Sequence, residues 1–110
     1  MIDDTISKIE AQLDAAQSIK PERKRELHQL LETLKTEVSG LSKTHGEQAA
    51  SIARFTEVSA HEATRVSRDP QLLDLSLEGL RSSARSFEES HPRLVEIVNT
   101  VSRTLSNLGI

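Results

Sequence analysis

The chain has no cysteine, no tryptophan and no tyrosine. Without cysteine there is no disulfide framework, no thiolate nucleophile and no cysteine-based zinc site. Phe55 and Phe87 are the whole aromatic complement. The alternating Val, Thr, Tyr and Phe runs of a β-fold are missing. No apolar run exceeds two residues, so no segment reads as a membrane-spanning helix. The opening MIDDTISKIEAQ has no apolar segment of the kind a signal peptide needs. A net charge of −3 with a pI near 5.8 lacks the basic excess of a dedicated nucleic-acid binder. These absences predict a soluble, cytoplasmic, all-α protein.

What the chain does have is Leu, Ala, Ser, Glu, Lys and Arg, with 28% charged and 35% apolar residues, punctuated by three prolines. Pro21, Pro70 and Pro92 each stand where a helix can begin, because the first helical turn needs no proline N–H. Asp69 before Pro70 is the clearest N-cap. Ile6, Ile9, Leu13 and Ala16 mark one helical face, and Leu27, Leu30, Leu31, Leu34, Val38 and Leu41 a heptad-like seam. Beyond Leu41 that register would place His45, Gln48, Ser59 and Glu62 inside. A shift by one residue instead recovers Ala49, Ile52, Ala53, Thr56, Ala60 and Ala63. Gly40 as a C-cap and Thr44 with Glu47 as a capping box favour a break there over one long helix from 21 to 67.

A seam of Leu73, Leu77, Leu80, Ala84 and Phe87, widened by Leu72 and Leu75, follows Pro70. Leu94, Val98, Val101, Leu105 and Leu108, widened by Val95 and Ile97, follow Pro92, with Gly109 and Ile110 as a C-terminal cap. The reading is therefore a single helical domain over 1–110, an antiparallel, coiled-coil-like bundle with helices near 4–18, 21–39, 44–67, 70–89 and 92–108. The last helix has the broadest apolar face and is expected at the centre. The alanine stripe buries little area, so a lone chain is expected to be marginal and a homodimer or higher oligomer is predicted, the dimer favoured.

Chemistry-bearing groups are sparse. Glu88 and His91 have the i, i+3 spacing of a di-iron bundle's ligand pair, but that site needs a second such pair and two further glutamates. His91 also precedes a proline. It reads as a junction residue, with Ser90 or His91 capping the last helix, and replacing His91 with alanine is then expected to cost about 1 kcal/mol. Glu57 and His61 lie one turn apart in a segment that has arginine where the HExxH zinc motif needs its second histidine. They read as a surface network. His28 and His45 have no partner at ligand spacing. The basic segment 20–25, with Lys20, Arg23, Lys24 and Arg25, is interrupted by Glu22 and reads as a solvated helix start rather than a phosphate-binding patch. No cofactor and no catalytic residue is implied.

Phe87, Glu88, Ser90, His91, Pro92 and Leu94, followed by Gly109 and Ile110, give a pattern that resembles a small bacterial family called domain of unknown function 4404. The likeness is loose over 1–41 and treats the alanine-rich stretch from about 44 to 68 as an extension. It implies a small helical protein and supplies no activity. The reading carried forward is a non-enzymatic bundle that self-associates and binds a protein partner. Its alternatives are a metal-binding bundle using Glu57, His61, Glu88 and His91, and a nucleic-acid-associated regulator using segment 20–25.

Overall fold

A computed structural model describes residues 2–108. Among them are five helices: α1 (Ile2–Ala15), α2 (Pro21–Ser42), α3 (Gly46–Thr64), α4 (Pro70–Arg85) and α5 (Pro92–Asn107). At 1.5 Å per residue α2 is about 33 Å long, close to the longest molecular extent of 37 Å. The helices therefore run along one axis, and each packs against the next in sequence.

Side-chain pairs fix the directions. Asp3 meets Ser39 at 2.6 Å and Asp14 meets His28 at 2.7 Å, so numbers rise along α1 as they fall along α2. Arg93–Glu37 and Thr104–Glu26 pair α5 antiparallel to α2 in the same way. The Phe55 ring lies where a Cβ on Gly79 would sit, in the middle of the α3/α4 contact. One groove joins Lys8, Ala11 and Gln12 to Glu57, Val58 and His61, so α1 and α3 run parallel.

The prolines behave as their chemistry requires. All three occupy the first turn of a helix. At α4 the Asp69 carboxylate accepts from the Gln71 and Leu72 amides at 3.0 and 3.3 Å. The other expected caps differ. Gly40 lies inside α2, which runs on to Ser42. The Thr44 hydroxyl turns back toward the Leu41 carbonyl and the His45 ring, so it is not available to cap α3. No side chain caps α3 or α5, including that of His91, whose Nδ1 meets Ser90 Oγ at 2.9 Å. The predicted loss of a cap in His91→Ala therefore has no structural basis. The Gly109–Ile110 cap lies outside the described residues.

Helix ends are also earlier than the periodicity suggests. α1 stops at Ala15, α3 at Thr64 and α4 at Arg85. Arg65 is extended, and the Arg68 guanidinium satisfies the Ala63 carbonyl, a cationic close to a helix C-terminus. Phe87 is buried from the turn after α4 and not from the helix.

The core draws on all five helices. Its centre is α3, which packs against each of the other four, whereas α5 packs against α2, α3 and α4. The expected central position of the last helix is thus overturned. Ala49, Ala53, Ala60 and Ala63, each no more than 2% exposed, let α3 come close to several neighbours at once. Being surrounded gives α3 a wide buried arc, so Ser59 and Glu62 are buried as well as the shifted stripe. Leu72 and Leu75, expected to widen the α4 core face, are exposed.

A periodicity longer than a helix turn also emerges. Leu27, Leu31, Leu34, Val38 and Leu41 are buried, and so are Leu73, Leu77, Leu80, Ala84 and Phe87, each 46 positions on. His45 and His91, again 46 apart, are the N-caps of α3 and α5 with nearly equal backbone angles (φ −133°, ψ 61° and φ −138°, ψ 65°). The pairs α2–α3 and α4–α5 are two matched helical hairpins, and α1 is the element without a counterpart.

A Cβ added at Gly40 meets nothing within 4 Å, and its φ is not in the left-handed region. Gly40→Ala is therefore expected to raise stability by about 0.5–1 kcal/mol through backbone entropy alone. Denaturant unfolding that shows a loss instead would mean the α2 turn at Gly40 is not regular helix in solution.

Candidate interaction surface and histidine clusters

Phe55, Val58, Leu72 and Leu75 are 39, 47, 42 and 62% exposed. Leu72, Leu75 and Gly79 follow one another at three- and four-residue steps and share a face of α4. The Phe55 ring covers Gly79, and Val58 is one turn further along α3. Phe55, Leu72 and Leu75 flank the α3/α4 contact, and Val58, which also lines the α1/α3 groove, extends this apolar strip over the exposed face of α3. Isolated exposed leucines are common on any surface; four large apolar groups on one seam are not.

Around the strip are charges. Glu78 bonds Arg81 at 3.2 Å, Arg85 at 3.3 Å and Ser82 at 3.3 Å. Arg81 foremost, then Arg85, hold the Glu78 carboxyl below the usual range. Arg54, on the same α3 face as Val58, and Asp74, on α4, have no ion-pair partner among the described residues.

The candidate metal and junction residues are placed as follows. Glu88 and His91 lie in and at the end of the turn between α4 and α5, so no helix carries both. Glu57 is paired with Lys8 of α1 at 3.2 Å and not with His61. His61 faces Glu62 at 3.9 Å, while Glu62 is held by Arg65 at 2.9 Å. The four residues are not brought together, and among the described residues no group of three or more His, Asp or Glu is arranged to hold a metal ion. In the basic segment Arg23 holds Glu26 at 3.7 Å, and Lys24 Nζ donates to the Asp14 carbonyl at 2.8 Å. No described helix is long and apolar enough to cross a membrane.

His45 joins His91 in a cluster that neither position announced. The His45 and His91 rings each meet Phe87 edge to face, at 5.4 and 5.5 Å between centroids, and lie 6.2 Å from each other. Each is backed by the preceding hydroxyl, Thr44 at 2.8 Å and Ser90 at 2.9 Å. The spacing that reveals this pair is apolar-x-x-hydroxyl-His, present as Leu41–His45 and as Phe87–His91. In each copy the His amide donates to the apolar residue's carbonyl at 2.8 Å. This motif ties the ends of both hairpins together.

His28 is the larger omission. Glu10 and Asp14 are one turn apart on α1, and His28 of α2 stands between them, with Nδ1 3.1 Å from Glu10 and Nε2 2.7 Å from Asp14. Lys35 lies 3.6 Å from Glu10 and 3.1 Å from Glu32. The hydrogen bond to Asp14, with the charges of Asp14 and Glu10, raises the His28 pKa against a smaller opposing effect of burial. Burial first, then Glu32, raises the Glu10 carboxyl, with Lys35 and His28 opposing. The two carboxylates take opposite nitrogens of the ring, so they form a clasp on an imidazolium and not a shared metal site.

Fold and junctions define this protein as an all-α bundle of two matched hairpins with an added first helix. Residues 30–110 match the family described as Domain of unknown function (DUF4404), and the chain belongs to that family. No curated protein and no solved structure matches it. The matched span runs through all of α3. What lies outside is 1–29, comprising α1 and the start of α2.

A double-mutant cycle tests the Phe55–Gly79 contact. A Cβ at Gly79 would run into the Phe55 ring, so Gly79→Ala must displace that ring. In a Phe55→Ala background the same change is expected to stabilise by about 1 kcal/mol, because only helix propensity remains. In the parent it should gain less or destabilise. Equal effects in both backgrounds would show that the ring does not rest on Gly79.

Proposed function

We propose that this protein is a non-enzymatic interaction module that self-associates through the α3/α4 seam. The observation that carries this reading is the strip of Phe55, Val58, Leu72 and Leu75, left exposed where 23 other apolar residues among those described are buried. The reason differs from the one that the composition suggested. A single chain closes its own core, so association is not needed to complete it. It is favoured instead by apolar area that folding leaves in water, at about 25 cal/mol per Å² removed on association.

A second copy suits this seam better than an unrelated partner because its charges are self-complementary. In a two-fold pair that lays α3 of one copy against α4 of the other, each contact is made twice. Arg54 of α3 and Asp74 of α4 carry opposite charges and have no ion-pair partner among the described residues, which leaves both available to a second copy. The fit to a further protein partner would use the same seam, since among the described residues no other face exposes several large apolar side chains on adjacent helices.

Leu72→Glu combined with Leu75→Glu tests the reading. Both positions are exposed, so the fold should lose little stability, within about 0.5 kcal/mol per site. Sedimentation equilibrium is expected to show the parent as a dimer at micromolar concentration and the double variant as a monomer. A monomeric parent, or a variant that dimerises as well as the parent, would remove the seam as the interface.

A further inference from the structure

We propose that α1 is a strap over the groove between α2 and α3, locked by a proton on His28, so that α1 opens more readily in alkaline than in mildly acidic solution. The proposal does not depend on the α3/α4 seam.

Three observations support it. First, α1 packs against α2 and α3 alone. Its Ile6, Ile9 and Leu13 are no more than 1% exposed, so lifting α1 would bare an apolar groove on those two helices. Second, α1 lies wholly outside the family match, which begins at residue 30, and it has no counterpart in the paired hairpins. It is an added element seated on a domain that can be described without it. Third, two carboxylates of α1 meet one titratable group of α2. Both nitrogens of His28 are engaged by α1 carboxylates, at 3.1 and 2.7 Å. Engaging both at once requires the doubly protonated ring, because a neutral imidazole has a donor on only one nitrogen.

The other charged groups around the clasp fall into place. On α1 they are Glu10 and Asp14. On α2 they are Lys24, which donates to the Asp14 carbonyl, and Glu32 with Lys35, which join Glu10. From α3 the nearest charged contact to α1 is Glu57, engaged by Lys8, and its neighbour His61 faces Glu62. From α5, Arg93 is held by Glu37, and Thr104 is the partner of Glu26. No group of α3 or α5 is bonded to His28.

The direction of the pH effect follows. The pKa of His28 is raised in the folded protein, chiefly by the bond to Asp14. Its contribution is therefore fully present below the ordinary histidine value of about 6.5 and is lost as pH rises through the folded value. Glu10 is raised too, mainly by burial, and acts in the same sense at lower pH. Glu32 is lowered, first by Lys35, and its contribution is lost only in acid.

Amide hydrogen exchange on the full chain, corrected for intrinsic rates, tests this at pH 6.0 and pH 8.5, on either side of about 6.5, with α4 as the internal reference. The protection of α1 relative to α4 is expected to fall by about threefold or more across that range. In His28→Gln the ratio should be low at both pH values. Ring NMR should show His28 titrating above the ordinary histidine value of about 6.5, and that elevation should shrink in Asp14→Asn. An α1/α4 ratio that does not change with pH in the parent would overturn the proposal, as would the same fall in His28→Gln.

Discussion

Alanine at 49, 53, 60 and 63 sets how near the other helices come to α3, and the rest of the bundle depends on that distance. A helix lined with leucine holds its neighbours at the wider end of the usual 8–10 Å range and has room for fewer of them. With alanine on much of its buried arc, α3 meets all four other helices. The apolar volume is supplied from outside by the leucines of α2 and α4 and the leucines and valines of α5. Enlarging any of these alanines would push on a packed neighbour, and overpacked cores relax only by shifting backbone. A sequence that looks too poor in large side chains to make a core therefore makes one, by dividing the work between a thin central helix and bulky surrounding ones.

The hairpin match explains why the division is not symmetric. The seams of α2 and α4 coincide residue for residue over five buried positions, 46 apart. Their partner helices do not: α3 has Ala49, Ala53 and Ala60 where the equivalent positions of α5 are Val95, Asn99 and Ser106. Both helices bury Ile52 or Val98, and Thr56 or Ser102, at the same step. The thin partner helix, α3, is the one that also accommodates α1. The bulkier one, α5, packs only against α2, α3 and α4.

The sequence made the element types and most of the core legible, because both follow from local periodicity. Each proline opened a helix, and the shifted stripe from Ala49 to Ala63 was buried throughout. Cap assignments were less legible. Thr44 and Glu47 have the right types at the right spacing, but Thr44 has a competing acceptor in the Leu41 carbonyl, and Gly40 fits an ordinary helical turn. Tertiary pairings were not legible at all. His28 has no partner within one turn of its own helix; Glu10 and Asp14 come to it across a reversal of the chain, 18 and 14 residues away. Leu72 and Leu75 had the right hydrophobicity for a core, and only the position of α3, with Phe55 over Gly79, decides that they face outward. The candidate surface lies where a local reading and the packed structure disagree.

That disagreement bears on how α1 is held. Its apolar stripe of Ile6, Ile9 and Leu13 would suffice to seat a helix in a groove, and any polar pair would keep it in register. A ladder of lysine with aspartate or glutamate would do so at every physiological pH, because those groups stay charged from about pH 5 to 9. The α1/α2 seam does contain such groups in Lys35 with Glu10 and Glu32. At its shortest ion pair, however, it uses the one side chain whose charge changes within that range. A histidine clasped by two carboxylates is a weaker fastening than a lysine when the solution is alkaline and comparable to it when the solution is mildly acidic. The histidine adds pH sensitivity without adding strength at neutral pH, and it fastens the one helix that stands outside the matched hairpins.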